Sequence, residues 1–260
     1  MKILFLGDVN GSPGRRIIKE RLRALRDELG VAAVVANGEN AAAGNGITVP
    51  LAKELIDAGV DVITLGDHAW GQKDLACTIG QCPQILRPAN GGVGQSGRGW
   101  DVFTTPFARF AVVNLLGRVF MGQADCPFRM VDEILKSVPK DVPVFVDFHA
   151  EATSEKISFA YHLDGRATAV VGTHTHVQTS DARLLEKGTA FITDLGMCGP
   201  FVSSIGRDLE PVLRKFMTGM PSRFEMAGGP ATLEGAVVEF DPATKLATSI
   251  SAVRVREPLN

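Results

Sequence analysis

Residues 2–11 read KILFLGDVNG, a short apolar run that ends in a glycine, an acid and a small polar turn. A continuous apolar run of this length is typical of a strand that is covered on both faces of its sheet. Ser12 and Pro13 then form a helix-start signal, and residues 15–29 repeat lysine, arginine, leucine and isoleucine at helical spacing. The stretch therefore predicts a buried strand that is followed at once by a helix.

The same order repeats along the chain, with a strand at 31–36, a helix at 48–58 and a strand at 60–65. Such a βαβαβ start predicts a parallel sheet with right-handed crossovers. The later residues predict more strands (100–105, 110–115, 142–148, 169–172, 190–193, 232–240 and 248–256) and helices (129–137, 154–161 and 209–218). No segment has the composition of a linker, so we expect one α/β domain over residues 1–260, with two packed sheets and helices outside.

Composition narrows the classes of partner. The chain has 260 residues and a net charge of −2, so no general basic field attracts nucleic acid, and we expect no stable nucleic-acid complex. No apolar run reaches the length of a membrane span. The four cysteines lack CxxC spacing, which favours reduced thiols in a cytoplasmic protein. A homo-oligomer is compatible with this composition.

Polar residues follow five of the predicted strands at the point where each strand ends. In an open α/β sheet, ligands bind beyond the carboxyl ends of the strands. Four of the chain's five histidines lie in these clusters, which favours a common site. The candidate residues are Asp8, Glu39, Asn40, Asp67, His68, His149, His174 and His176.

Each candidate alone has an ordinary structural explanation: Asp8 could form a turn, and His149 could be a hydrogen-bonded core residue. The joint pattern instead favours a metal site. Imidazole, carboxylate and amide ligands without a thiolate suit manganese, iron, zinc or cobalt. Three acids with three or more imidazoles exceed the needs of one ion, whereas two ions bridged by a carboxylate would use them all.

Several longer motifs carry a family resemblance. They are GDVNGSPGR at 7–15, NGENAAAGNGIT at 37–48, TLGDHAW at 64–70, RPAN at 87–90, VDFHAEATSEK at 146–156 and VGTHTHVQTSDARLL at 171–185. The chain resembles the calcineurin-like metallophosphoesterases and, more closely, the bacterial YmdB-like phosphodiesterases. The resemblance implies a four-layer α/β/β/α sandwich with a dinuclear metal centre, and an activity on 2',3'- or 3',5'-cyclic nucleotides.

The resemblance also implies a role for each candidate. His68 would be the acid that assists the departing oxygen. The ions, iron or manganese before zinc or cobalt, would be held in two sets. The first metal would have Asp8, Glu39, Asn40 and His176 as ligands, and Glu39 would bridge to a second metal held by Asp67, His149 and His174.

Two positions depart from the family pattern. Asn10 stands where the wider superfamily has a histidine, and Asp67 stands where it has an asparagine. Asp67 adds a third carboxylate to Asp8 and Glu39, which brings a centre of two divalent ions and a bridging hydroxide close to neutrality. We therefore expect tighter metal binding but weaker attraction for phosphate, unless a trivalent iron restores the positive charge.

These residues predict a phosphodiesterase for a small phosphorylated substrate, most simply a nucleotide. A hydroxide that bridges the metals would attack phosphorus in line, and His68 would protonate the leaving oxygen. Two alternatives stay open from the sequence. The same core could serve a phosphomonoesterase or nucleotidase, or the protein could be a weakly active metal-bound regulator in which Asp67 lowers turnover.

Overall fold

A computed structural model describes residues 1–259, and within them it contains six α-helices and fourteen β-strands. The helices are α1 (Gly11–Leu29), α2 (Val49–Ala58), α3 (Leu75–Thr78), α4 (Pro127–Ser137), α5 (Thr153–His162) and α6 (Leu209–Thr218), and a 3₁₀ turn spans Ile79–Gln81. The strands are β1 (Lys2–Leu6), β2 (Asp8–Val9), β3 (Ala33–Asn37), β4 (Val62–Thr64), β5 (Ile85–Leu86), β6 (Trp100–Thr104), β7 (Arg109–Leu116), β8 (Val144–His149), β9 (Ala169–Thr173), β10 (Arg183–Leu184), β11 (Ala190–Ile192), β12 (Met197–Pro200), β13 (Ala231–Phe240) and β14 (Ala247–Arg256).

The strands form two sheets. The first has the order β2-β12-β13-β1-β3-β4-β5, with β14 paired to β13, and its members β1, β3, β4 and β5 run parallel. The second has the order β10-β11-β9-β8-β7-β6 and is parallel from β7 to β11. The carboxyl ends of the parallel strands in each sheet therefore point one way, and beyond these ends a ligand site is expected.

The layers follow from the alternation of side chains along each strand. In β1, Leu4 and Leu6 pack into one core with Ile17 of α1, whereas Ile3 and Phe5 pack between the two sheets. A further core lies between the second sheet and helices α4 and α5. The structure thus confirms the predicted four-layer α/β/β/α sandwich.

Several elements depart from the sequence prediction. Helix α1 begins at Gly11, just before the predicted start signal at Ser12 and Pro13, and β2 and β12 were not predicted. The predicted strands at 232–240 and 248–256 are present as β13 and β14, and they pair as a hairpin with Thr232 opposite Arg256. The candidate residues sit at strand ends of both sheets and not along the edge of one sheet. Within residues 1–259, no helix is both long and apolar enough to cross a membrane.

Candidate metal centre

The eight candidate residues converge where the strand ends of the two sheets meet. Asp8 begins β2, His149 ends β8, and the other six lie in the loops that follow β3, β4 and β9. The two sheets face each other, so their carboxyl ends bring carboxylates from the first sheet against imidazoles from the second. All eight take part in contacts with at least one other member of the group.

Four of these side chains form one compact cluster. Glu39, Asp67, His149 and His174 each offer a ligand atom, and these atoms lie within 4.8 Å of one another. The Nε2 atom of His149 lies 3.2 Å from Glu39 Oε1 and 3.1 Å from Asp67 Oδ1. The Nδ1 atom of His174 lies 3.0 Å from the same His149 nitrogen. This is the set that the family resemblance implies for the second metal.

A neighbouring group shares Glu39 with this cluster. The Nε2 atom of His176 lies 3.7 Å from Asp8 Oδ1 and 3.2 Å from Asn40 Nδ2. The same amide nitrogen of Asn40 donates a hydrogen bond to Glu39 Oε1 at 3.0 Å. Glu39 therefore touches both groups, as a bridging ligand would. Asn40 could act as a ligand through its carbonyl oxygen only after its amide turns, because the nitrogen now faces Glu39 and His176.

The burial of Asp8 and the missing hydrogen bond at one of its oxygen atoms show that these residues fit a cation. Asp8 is fully buried, and among the described residues its Oδ1 atom has no hydrogen-bond donor. A buried carboxylate oxygen without a partner is costly, and burial raises the pKa of Asp8 to about 6. A metal ion beside Oδ1 would supply the missing positive partner. The donor set of oxygen and imidazole nitrogen suits transition metals such as iron or manganese.

The charges of the compact cluster point the same way. Burial raises the pKa of Glu39, but the charge of His149 and hydrogen bonds from His149 and His68 hold it well below its ordinary value. Burial lowers the pKa of His149, but Glu39 and Asp67 raise it well above its ordinary value. A proton on His149 thus offsets the carboxylates, and a cation that binds here would displace that proton.

In three of the histidines, the ring nitrogen that faces away from the cluster has its own hydrogen-bonding or charged partner. His149 Nδ1 lies 2.9 Å from the hydroxyl of Thr173, and that hydroxyl donates to Asp147 at 2.7 Å. Because the Thr173 proton is used on Asp147, the hydroxyl accepts from His149, and Nε2 stays directed at the cluster. Such partners set which nitrogen of a histidine binds metal.

His176 and His174 are held in the same manner. His176 Nδ1 lies 2.9 Å from the carbonyl oxygen of Ile205, which leaves Nε2 toward Asp8. His174 Nε2 lies 3.2 Å from Glu151, which leaves Nδ1 toward the cluster. Asn10, at the position of the superfamily histidine, contacts His176 Nδ1 at 3.2 Å.

A buried ion pair supports the loop that carries both histidines. Lys156 Nζ lies 2.8 Å from Asp194 Oδ2, and both side chains are almost completely buried. The same Asp194 oxygen accepts from the backbone and the hydroxyl of Thr175 at 3.0 and 2.8 Å. His174 and His176 flank Thr175 with φ angles of 106° and 62°, a region that non-glycine residues seldom adopt. The ion pair therefore holds a strained turn in the shape that aims two imidazoles.

Sequence reasoning missed these supporting residues. Asp194 lies two residues after β11, so a search for polar residues at the end of that strand would have found it. Asp147 is an acid inside an otherwise apolar strand, which is also a visible signal. Lys156 and Thr173 have no such signal, since their role depends on contacts between distant segments.

His68 differs from the other imidazoles because it is partly open to solvent. Its side chain is 42% exposed, whereas that of His149 is fully buried. Its Nδ1 atom lies 3.1 Å from Asn40 Oδ1 and 3.4 Å from Glu39 Oε1, and its Nε2 atom lies 3.8 Å from Asp67. The hydrogen bond to Glu39 raises the pKa of His68, which favours a protonated ring that can donate. His68 thus lies beside the cluster, within reach of a bound substrate.

Comparison with known proteins adds a family and a fold. A family model described as "YmdB-like protein" matches residues 4–253. The chain is 45% identical over 258 residues to the 2',3'-cyclic-nucleotide 2'-phosphodiesterase of Bacillus subtilis (strain 168). The alignment covers 99% of this chain and 98% of that protein.

Two solved structures extend the comparison. A structure described as a novel phosphatase from Mycoplasma pneumoniae matches this chain with a TM-score of 0.93 and 38% identity. The match covers 98% of this chain and 93% of the other. The NAD nucleotidase of Haemophilus influenzae has a TM-score of 0.59 at 10% identity, and covers 98% of this chain and 55% of that one. The second likeness concerns the fold alone.

Proposed function

The chain belongs to the YmdB-like protein family, and from this and the geometry of its site we propose that it is a metal-dependent phosphodiesterase that hydrolyses cyclic nucleotides, 2',3'- or 3',5'-cyclic. The observation that carries the proposal is the compact cluster of Glu39, Asp67, His149 and His174, whose ligand atoms lie within 4.8 Å of one another. Glu39 also touches the group of Asp8, Asn40 and His176, so the arrangement supports two ions with a shared carboxylate.

The ligand sets combine the observed contacts with the roles that the family resemblance implies. Glu39, Asp67, His149 and His174 would hold one ion, and Asp8, Glu39, Asn40 and His176 the other, with iron or manganese favoured over zinc or cobalt. When bound, the ions supply positive charge for a phosphate and lower the pKa of a water molecule into the neutral range.

The chain's own residues orient the reaction. His149 and His174 are held by Thr173 and Glu151, so their other ring nitrogens stay directed at the position where an ion would bind. His68 would donate a proton to the oxygen that leaves phosphorus, because it is partly exposed beside Asp67 and is not enclosed by the cluster. Glu39 and His149 are buried, so bulk water screens their own charges little.

The test is a combined metal and activity measurement on the purified chain. Reconstitution with iron or manganese should give about two metal equivalents per chain by elemental analysis. The loaded protein should hydrolyse bis-p-nitrophenyl phosphate and cyclic nucleotides faster than p-nitrophenyl phosphate, and Glu39→Gln should abolish all three activities. A preference for p-nitrophenyl phosphate would support a monoesterase instead, and full metal loading without turnover would support a regulatory protein. At most one weakly held ion would refute the dinuclear centre.

A further inference from the structure

A pocket of about 410 Å³ opens directly beside the candidate metal centre. Its charged side contains Glu39, His68 and His174, which also belong to the centre. Its opposite side, here named the apolar wall, comes from the segment between β12 and β13. The apolar wall consists of Ile205, Val212, Phe216 and Phe224. This volume falls in the usual range for small-molecule sites, which is about 300–1,000 Å³.

Two residues of the apolar wall, Phe216 and Ile205, have little role in the core. Phe216, on α6, is 81% exposed, and Ile205 is 51% exposed. Phe224 has Lys215 Nζ at 4.9 Å from its ring centroid, so a cation covers one face of that ring. Large apolar side chains that stay exposed beside a polar site are typical of ligand binding and not of folding.

One residue of the apolar wall, Ile205, has a strained backbone. Ile205 has a φ angle of 47°, which is unusual for a β-branched side chain. This conformation turns its carbonyl oxygen to His176 Nδ1 at 2.9 Å while its side chain lines the pocket. Two residues on, Arg207 donates to the carbonyl oxygens of Ala43 and Gly44, in the loop that follows Glu39. The segment is therefore anchored to His176 and to the loop that follows Glu39 and Asn40.

We propose that the apolar wall is the nucleobase subsite, where the base of a nucleotide stacks on Phe216 and Phe224 while its phosphate lies at the metal centre. This inference rests on the proposed function, since it assigns the part of the substrate that the metals do not bind. Stacking on aromatic rings accepts any base, because every base has a π-face. Because stacking on the apolar wall does not read a base edge, adenine, guanine, cytosine and uracil nucleotides should all be accepted, and any preference among them would come from polar side chains that also line the pocket, such as Ser204 and Arg207.

Calorimetry on the metal-loaded protein tests the subsite without relying on turnover. Adenosine 2'-monophosphate should bind at least about tenfold more tightly than glycerol 2-phosphate, which has the phosphate but no base. Phe216→Ala and Phe224→Ala should each weaken binding of the nucleotide about tenfold and leave binding of glycerol phosphate unchanged. Phe107→Ala is the matched control, because Phe107 is 71% exposed in the turn between β6 and β7 and does not line the pocket.

Kinetics separates failure of the subsite from failure of the proposed function. With 2',3'-cyclic adenosine monophosphate, the two variants should raise KM and keep kcat, whereas glycerol 1,2-cyclic phosphate should show no change. Equal effects on both ligands, or no effect on either, would overturn the nucleobase subsite even if the enzyme is active. Preferential nucleotide binding that depends on Phe216 and Phe224 would uphold the subsite even if no diester is hydrolysed, and would then count against the phosphodiesterase.

Discussion

The floor of the site and the apolar wall are built in opposite ways. The floor, defined as Asp8, Glu39 and His149, is at most 1% exposed and comes from strand ends of both sheets. The apolar wall comes from one segment, and its members Ile205 and Phe216 are largely exposed. The candidate metal ligands are thus positioned by the fold of both sheets, whereas the proposed contact with the substrate base lies on a single segment between two strands.

The largest expected effect separates the floor from the residues around it. His149→Ala should lose metal and reduce activity to background, because it removes a buried ligand candidate and leaves Glu39 without its counter-charge. His68→Ala should keep both metals and lower kcat by about 10²–10⁴-fold, the usual range for a lost general acid. Elemental analysis and initial rates measure both outcomes.

His162→Ala is the matched control for these variants, because His162 ends α5 and pairs with Asp132 away from the site. It should match the parent protein in metal content and rate. Loss of metal in His68→Ala with full metal in His149→Ala would reverse the roles assigned to the two histidines.

A smaller effect should follow when the buried ion pair of Lys156 and Asp194 is broken. Lys156→Met leaves Asp194 buried without its cation, so the free energy of unfolding should fall by about 3–5 kcal/mol. Metal affinity should fall about 10- to 100-fold, because Asp194 then holds the Thr175 turn less firmly. Denaturant unfolding and metal titration at a temperature where the variant stays folded give the two numbers.

Lys136→Met is the control for this change, since it removes an exposed pair with Glu133 and should alter stability by no more than about 0.5 kcal/mol. If Lys156→Met loses stability but titrates metal as the parent does, the ion pair supports only the fold and not the aim of His174 and His176.

The smallest expected effect concerns Asp67, which lies between the floor and the opening at 32% exposure. Its charge repels a phosphate, and at an effective dielectric of about 20 a charge roughly 4 Å away contributes about 4 kcal/mol before the metals offset it. We expect a remaining penalty of about 1–2 kcal/mol, so Asp67→Asn should raise kcat/KM for a phosphodiester about tenfold at saturating metal.

The same variant should bind metal more weakly, which a titration of both proteins against each metal would show. Asp141→Asn, at an exposed surface pair with Arg109, should change neither quantity. An equal or lower kcat/KM for Asp67→Asn would mean that the carboxylate is matched to its ion, for example a trivalent iron.

The sequence predicted the strand ends better than it predicted what surrounds them. Asp8, Glu39 and His149 could be found because an acid or imidazole directly after an apolar run is a local signal. The four-layer sandwich was predicted through the family resemblance, and the alternation in residues 3–6 agrees with it. These features depend on neighbours in the chain, which one sequence contains.

The supporting contacts could not be predicted, because each joins segments far apart in the chain. Ile205 reaches His176 through a backbone carbonyl, which any residue possesses, so its identity gives no hint of the contact. The sequence predicted only a helix at residues 209–218, and the structure is needed to show that Phe216 of this helix lines the pocket.

The pairing of β1 has a consequence for how the centre forms. β1 pairs with β3 along one edge and with β13 along the other, so Lys2 lies opposite Glu239. During synthesis one edge of β1 stays open until β13 has been made, and an open edge can pair with another unfolded chain. Asp8 is positioned by a backbone hydrogen bond to Gly196, and Gly7 by one to Glu234. Asp8 therefore reaches its place in the candidate metal centre only after residues 196–234 have been synthesised.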